Sequence, residues 1–218
     1  MPEISPDRPD AHSRTIPTGF SFSESGNKKR LTGIVGLNLL LDGGFPKGTL
    51  IMVHGSPVAG IDLAAKQFWR AEGEEAGTYL MNDGDPEVGM VNVGDVHPGM
   101  YQDWMVGDRM VIDSLSSIVI KYGIDTTLGF LRQSRVEIRE SDANIMFLVY
   151  DGVHAPMEMT RLMRMSDIVI EFKTEISQSD IERTLAVQKI KGAAAPQRLL
   201  PFIITDNGIE ASTTSRVV

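Results

Sequence analysis

Between residues 50 and 68 the chain passes from an uninterrupted apolar run, 50–53, through the glycine-bearing loop Gly55-Ser56-Pro57-Val58-Ala59-Gly60, into a stretch with apolar residues at helical spacing: Ile61, Ala64, Ala65 and Phe68. A run that is apolar at every position has no polar face to offer solvent, so it reads as a strand covered on both sides, as in parallel sheets. Lys66, Arg70 and Glu72 lie mostly off the apolar side of the following stretch, which therefore packs one face on that sheet. A buried strand entering an amphipathic helix through a glycine turn restricts the fold to the α/β class, mainly parallel strands flanked by helices.

The same alternation recurs downstream. Residues 78–81, 109–112 and 145–150 are further short apolar runs, with helical patterns expected at about 126–139 and 156–165, the latter opened by Pro156, a residue suited to a first helical turn. The last third differs: 167–172, 183–190 and 200–205 follow one another without a helical pattern between them, so antiparallel C-terminal strands are expected. Asn207-Gly208 then supplies a tight turn into Ile209. Residues 1–30 hold few apolar side chains and four prolines, too little to offset ordering entropy, and are expected to form a flexible polar arm. Residues 31–218 are expected to form one domain, in keeping with a chain of 218 residues.

Composition removes several function classes. The chain has no cysteine, which excludes disulfides, thiolate metal sites and cysteine nucleophiles, and its four histidines (His12, His54, His97, His154) show no metal-ligand spacing. With 21 lysines and arginines against 29 acidic residues the formal charge is -8, a poor field for grasping nucleic acid. The one sharp basic cluster, Lys28-Lys29-Arg30, flanks the expected domain and reads as a solvated run. No apolar run approaches the ~20 residues of a membrane helix, and Met1 to Asp10 lack the basic start and apolar stretch of a signal peptide. A cytoplasmic protein without membrane insertion is expected. His54 and His154 sit near expected strand ends and read as structural histidines, and Met157, Met159, Met163 and Met165 as core filler.

Strand, glycine loop and helix is also the context of a P-loop, in which loop amides and the helix N-terminus hold phosphates, a lysine follows the second glycine, and a Ser or Thr hydroxyl binds magnesium. Here Ile61 stands at the lysine position and Asp62 at the hydroxyl position. On these eight residues alone, a degenerate P-loop comprising Gly55, Ser56, Gly60, Ile61 and Asp62 and a plain strand-to-helix turn are both open. Asp62 likewise has two readings: an internal phosphate surrogate that accepts the helix N-terminal amides and pairs with Lys66 one turn on, or a first-turn acid facing solvent.

The stretch 32–48, Thr32-Gly33-Ile34-Val35-Gly36-Leu37-Asn38-Leu39-Leu40-Leu41-Asp42-Gly43-Gly44-Phe45-Pro46-Lys47-Gly48, resembles the segment preceding the P-loop in the KaiC-like and RadA-like branch of the RecA superfamily, departing at Asn38, where the family usually has aspartate. Met110-Val111-Ile112-Asp113-Ser114 looks like its Walker B strand, and 182–192 with 200–209 resemble the KaiC-like ending, so the likeness spans about residues 31–210. It implies a RecA-like core with antiparallel C-terminal strands. In active members ATP and magnesium are cofactors; the residue matching Asp113 helps orient the magnesium shell, and basic residues matching Lys189 and Lys191 reach a nucleotide on the neighbouring subunit. The alternative for Lys189 and Lys191 is a solvated pair on a strand. Where the family has adjacent glutamates, this chain has Asn82-Asp83-Gly84-Asp85, so Asp83 is the nearest candidate for a general base, or else a turn cap.

Losing the phosphate-site lysine removes electrostatic stabilisation that dominates phosphoryl transfer. The expectation is therefore a non-catalytic KaiC-like regulatory or scaffold subunit with a decayed ATP site, no cofactor and no metal, forming a homo-oligomer or a hetero-oligomer with an active paralogue. Two alternatives are an ATP-binding protein or slow ATPase that uses Lys47 or Lys66 with Asp113 and magnesium, and a DNA-binding recombination accessory, which the negative charge suits poorly.

Overall fold

The computed structural model describes residues 29–71, 77–178 and 180–211. Its framework is a nine-stranded sheet. In chain order the strands are β1 (Leu50–Gly55), β2 (Gly77–Met81), β3 (Val91–Asn92), β4 (Arg109–Asp113), β5 (Asn144–Tyr150), β6 (Ile168–Ile176), β7 (Ile181–Ile190), β8 (Leu200–Thr205) and β9 (Gly208–Ala211). The helices are α1 (Val35–Leu40), α2 (Ile61–Trp69), α3 (Leu115–Tyr122), α4 (Ile124–Ser141) and α5 (Pro156–Met165), with a 3-10 turn at Pro98–Asp103. Across the sheet the order is β3-β2-β4-β5-β1-β6-β7-β8-β9. The pairings from β3 to β6 are parallel and those from β6 to β9 antiparallel. This is the expected α/β class with antiparallel C-terminal strands.

The central strands are buried along nearly their whole length because both faces are covered. Residues such as Ile51, Val53, Leu148 and Phe172 face a core shared with α1, α2 and the β8–β9 hairpin. Their neighbours Leu50, Met52, Phe147 and Val149 face a second core under α3, α4 and α5. Gly60 and Asp113 end or follow strands at the carboxyl edge of the parallel part, where ligand sites of such sheets are built.

Three elements depart from the sequence pattern. α3 was hidden by the β-branched run Ile118-Val119-Ile120; its start is set by Ser114, whose Oγ accepts from the Ser117 amide at 3.4 Å. α1 and the two-residue β3 are too short to carry a period. Residues 1–28 of the expected arm lie outside the described residues. Lys29 and Arg30, grouped above with that arm, are tied to the domain instead. The Lys29 ammonium donates to the carbonyls of Leu41 and Asp42 at 2.7 and 2.9 Å. The Arg30 residue is 2% exposed and donates to Asp142 O and Asn144 Oδ1. Met159, Met163 and Met165 pack on the second core, but Met157 is 72% exposed and fills none of it.

Candidate functional site

The glycine loop leaves β1 at Gly55 and turns so that the Ala59 amide donates to Ser56 O at 3.0 Å. Gly60 caps α2 with φ +82°, a left-handed conformation that favours glycine, and a Cβ there would stand 3.1 Å from Ile204 Cδ1 of the β8–β9 hairpin. Ile61 is 1% exposed and folds back under the loop, its Cγ2 only 3.2 Å from where a Gly55 Cβ would be. Ala59 and Gly60 are buried as well, so the base of the loop is packed with hydrocarbon.

Asp62 does not fill the loop. Its carboxylate lies 3.6 Å from the Lys66 ammonium, which also holds Glu87 at 2.9 Å. The pairing with Lys66 is therefore present, while the loop amides have no bond to Asp62 among the described residues; a short side chain on the first helical turn points along the helix flank rather than back into the turn. Burial works to lower the Lys66 pKa, but the Glu87 hydrogen bond and the charges of Asp62 and Glu87 outweigh it and raise the pKa above the ordinary value. Lys66 is thus committed to two carboxylates.

Asp113 ends β4, 4% exposed, and its Oδ2 accepts from the Tyr79 hydroxyl at 2.5 Å. Burial pushes its carboxyl up to about 6; the Tyr79 bond opposes this and the charges of Asp83 and Asp62 add to it. Burial and the Asp113 charge raise the Tyr79 phenol in turn, so it stays a donor. Asp83 is exposed and its Oδ2 accepts from Ser114 Oγ at 2.8 Å and from the Ser117 hydroxyl, which pins it to the start of α3. Tyr79 and Ser117 escaped the sequence reading, and Ser114 entered it only as the end of the Walker B-like stretch, because their partners come from a neighbouring strand or from a helix without a visible period.

The two histidines are enclosed and partnered. His54 Nδ1 lies 2.9 Å from Asp151 Oδ1 and its Nε2 lies 3.3 Å from Gln188 Oε1. His154 Nε2 lies 2.8 Å from Ser116 Oγ, which also accepts the Tyr150 amide at 2.9 Å. Burial lowers the His154 pKa, with Glu158 opposing. Lys189 spends its ammonium on the carbonyls of Met163 and Ser166 at 2.8 and 2.5 Å, and Lys191 lies 3.5 Å from Asp167 Oδ1. Neither approaches the glycine loop of its own chain. Among the described residues no group of three or more His, Asp or Glu side chains is placed to hold a metal ion, and no helix is long and apolar enough to cross a membrane. A cavity of about 660 Å³ lies on the flank of α2 between Asn38, Gln67, Glu87 and Asn207 and not over the loop.

A family model described as a family of unknown function, DUF7125, matches residues 80–216, more than half of the chain. The chain belongs to the DUF7125 family. No curated protein matches this DUF7125 chain. Among solved structures it is similar to the KaiC-like protein of the hyperthermophilic archaeon Pyrococcus horikoshii OT3, with a TM-score of 0.68 and 19% identity over 84% of this chain and 98% of that one. That likeness establishes a KaiC-like, RecA-type fold for the DUF7125 protein, as its sequence resemblance implies.

Proposed function

We propose that this DUF7125 protein is a non-catalytic member of the KaiC-like fold group, a regulatory or scaffold subunit whose nucleotide cradle has decayed. The observation that carries the reading is Ile61. At the position where a working loop needs a lysine, an apolar side chain 1% exposed is packed under the loop. The residues present do not fit a triphosphate: Ile61 supplies no charge where the lysine should be, Asp62 puts a carboxylate where the hydroxyl should be, and Lys66 is held by Asp62 and Glu87. A displaced lysine is therefore not favoured at Lys66. The surfaces that remain are those of assembly, and the expected partners are further copies of this chain or an active paralogue.

The test is phosphate release from ATP with magnesium, followed beside light scattering of the same samples. The reading expects no turnover above that of the Asp113→Ala variant and an assembly state indifferent to ATP. Magnesium-dependent turnover abolished by Asp113→Ala, or assembly driven by ATP, would overturn it.

A further inference from the structure

α4 and α5 lie side by side and form an open cleft of about 330 Å³ lined by Arg132, Arg135, Arg161, Arg164, Leu128 and Met165. Each helix presents its two arginines three residues apart, hence on one face. Gathering four guanidinium groups at one cleft costs electrostatic free energy and lies outside anything the fold requires, the more so in a chain of formal charge -8.

The partners of these cations are few. Arg135, its side chain 20% exposed, donates to Met165 O and lies 3.3 Å from Asp167, which fixes it as one wall. Arg161 pairs with Asp125, whose side chain is 84% exposed, so that pairing is weak and readily exchanged. Arg132 and Arg164 have neither an ion pair nor a side-chain hydrogen bond among the described residues. Lys189 and Lys191 extend the positive field along the border while sharing Asp167 with Arg135. In keeping with this, the Lys189 pKa is lowered by burial and, against the pull of Asp167, by the charges of Arg135, Lys191 and Arg164.

We propose that the cleft between α4 and α5 binds a small molecule carrying two or more phosphate groups. A phosphate accepts guanidinium forks in pairs, so four arginines match more than one phosphate. The cleft volume is at the small end for metabolite sites. No aromatic side chain lines it, which removes the stacking platform used for single-stranded nucleic acid. Its other lining residues are Leu128 and Met165. The proposal is separate from the reading of the glycine loop and stands or falls without it.

The experiment is calorimetric titration of the full chain with inorganic tripolyphosphate at low salt, with orthophosphate, ATP and a short single-stranded oligonucleotide as comparison arms. Saturable binding of one tripolyphosphate per chain is expected, weakened about tenfold by Arg132→Ala or Arg164→Ala and further by both. Lys121→Gln, on α3 beside Asp95, should leave it unchanged. Orthophosphate should bind more weakly. Equal affinity for ATP and tripolyphosphate would assign recognition to the phosphate chain, and tighter ATP binding lost in the same variants would assign a nucleotide. No saturable binding, binding that survives the double substitution, or an oligonucleotide that binds more tightly and displaces tripolyphosphate would overturn the proposal.

Discussion

Replacing Asp113 by Asn isolates the cost of keeping a carboxylate at the buried end of β4. The side chain is 4% exposed, and its pKa rises from 3.8 to about 6 because burial outweighs the Tyr79 hydrogen bond. A difference of about two units corresponds to about 3 kcal/mol at 1.36 kcal/mol per unit. The sign follows from proton binding: between the two pKa values the folded chain holds a proton that the unfolded chain has lost, so stability falls as pH rises through this window. Asn keeps an oxygen for the Tyr79 hydroxyl and carries no charge, so its contribution is flat. Urea unfolding followed by the fluorescence of Trp69 and Trp104 would be run on both proteins from about pH 4 to about pH 8. The stability of Asp113→Asn relative to wild type should grow by about 2–3 kcal/mol across that range. A difference that is constant, or that shrinks as pH rises, would refute the burial argument and mean that the ionised carboxylate is stabilised where it sits.

Ile61→Ala should cost about 2–4 kcal/mol in denaturant unfolding, as expected for a buried side chain at the base of the loop, whereas Asp62→Ala should change stability by less than ~1 kcal/mol because its partner is one half-exposed lysine. The reverse ranking would restore Asp62 as the group that fills the turn. Gly60→Ala should lose about 1–2 kcal/mol, since φ is +82° and a Cβ would press on Ile204; unchanged melting would show that the hairpin gives way. Arg30→Ala should lose about 2–4 kcal/mol by leaving Asn144 and the Asp142 carbonyl short of a donor, and a neutral effect would return residue 30 to the solvated run it resembles.

What was legible in the sequence was what depends on local pattern. β1 and α2 follow from an all-apolar run and a helical stripe, and α5 begins at Pro156 as its first-turn preference requires. α3 was not legible because three consecutive β-branched residues mimic a strand, and β3 has two residues whose only definition is pairing with β2. In the site, the unusual identities at 61 and 62 could be read directly, but the destinations of their side chains could not. Ile61 meets Gly55 near the Phe172 backbone of β6, and that meeting depends on strand order. Arg30 looked like part of a solvated basic run because its partners Asn144 and Asp142 lie more than a hundred residues away. The same holds for the arginine cleft: the three-residue spacing within each helix was in plain view, and only the packing of α4 on α5 turns two pairs into one pocket.

The central claim, that the glycine loop no longer receives a triphosphate, is tested most directly by calorimetric titration with ATP, with and without magnesium. The Arg132→Ala/Arg164→Ala protein should be titrated beside the wild type so that any phosphate binding between α4 and α5 is subtracted. The account predicts no saturable heat in the double variant under either condition. Micromolar, magnesium-dependent binding that survives both arginine substitutions and is lost on Asp113→Ala would contradict it.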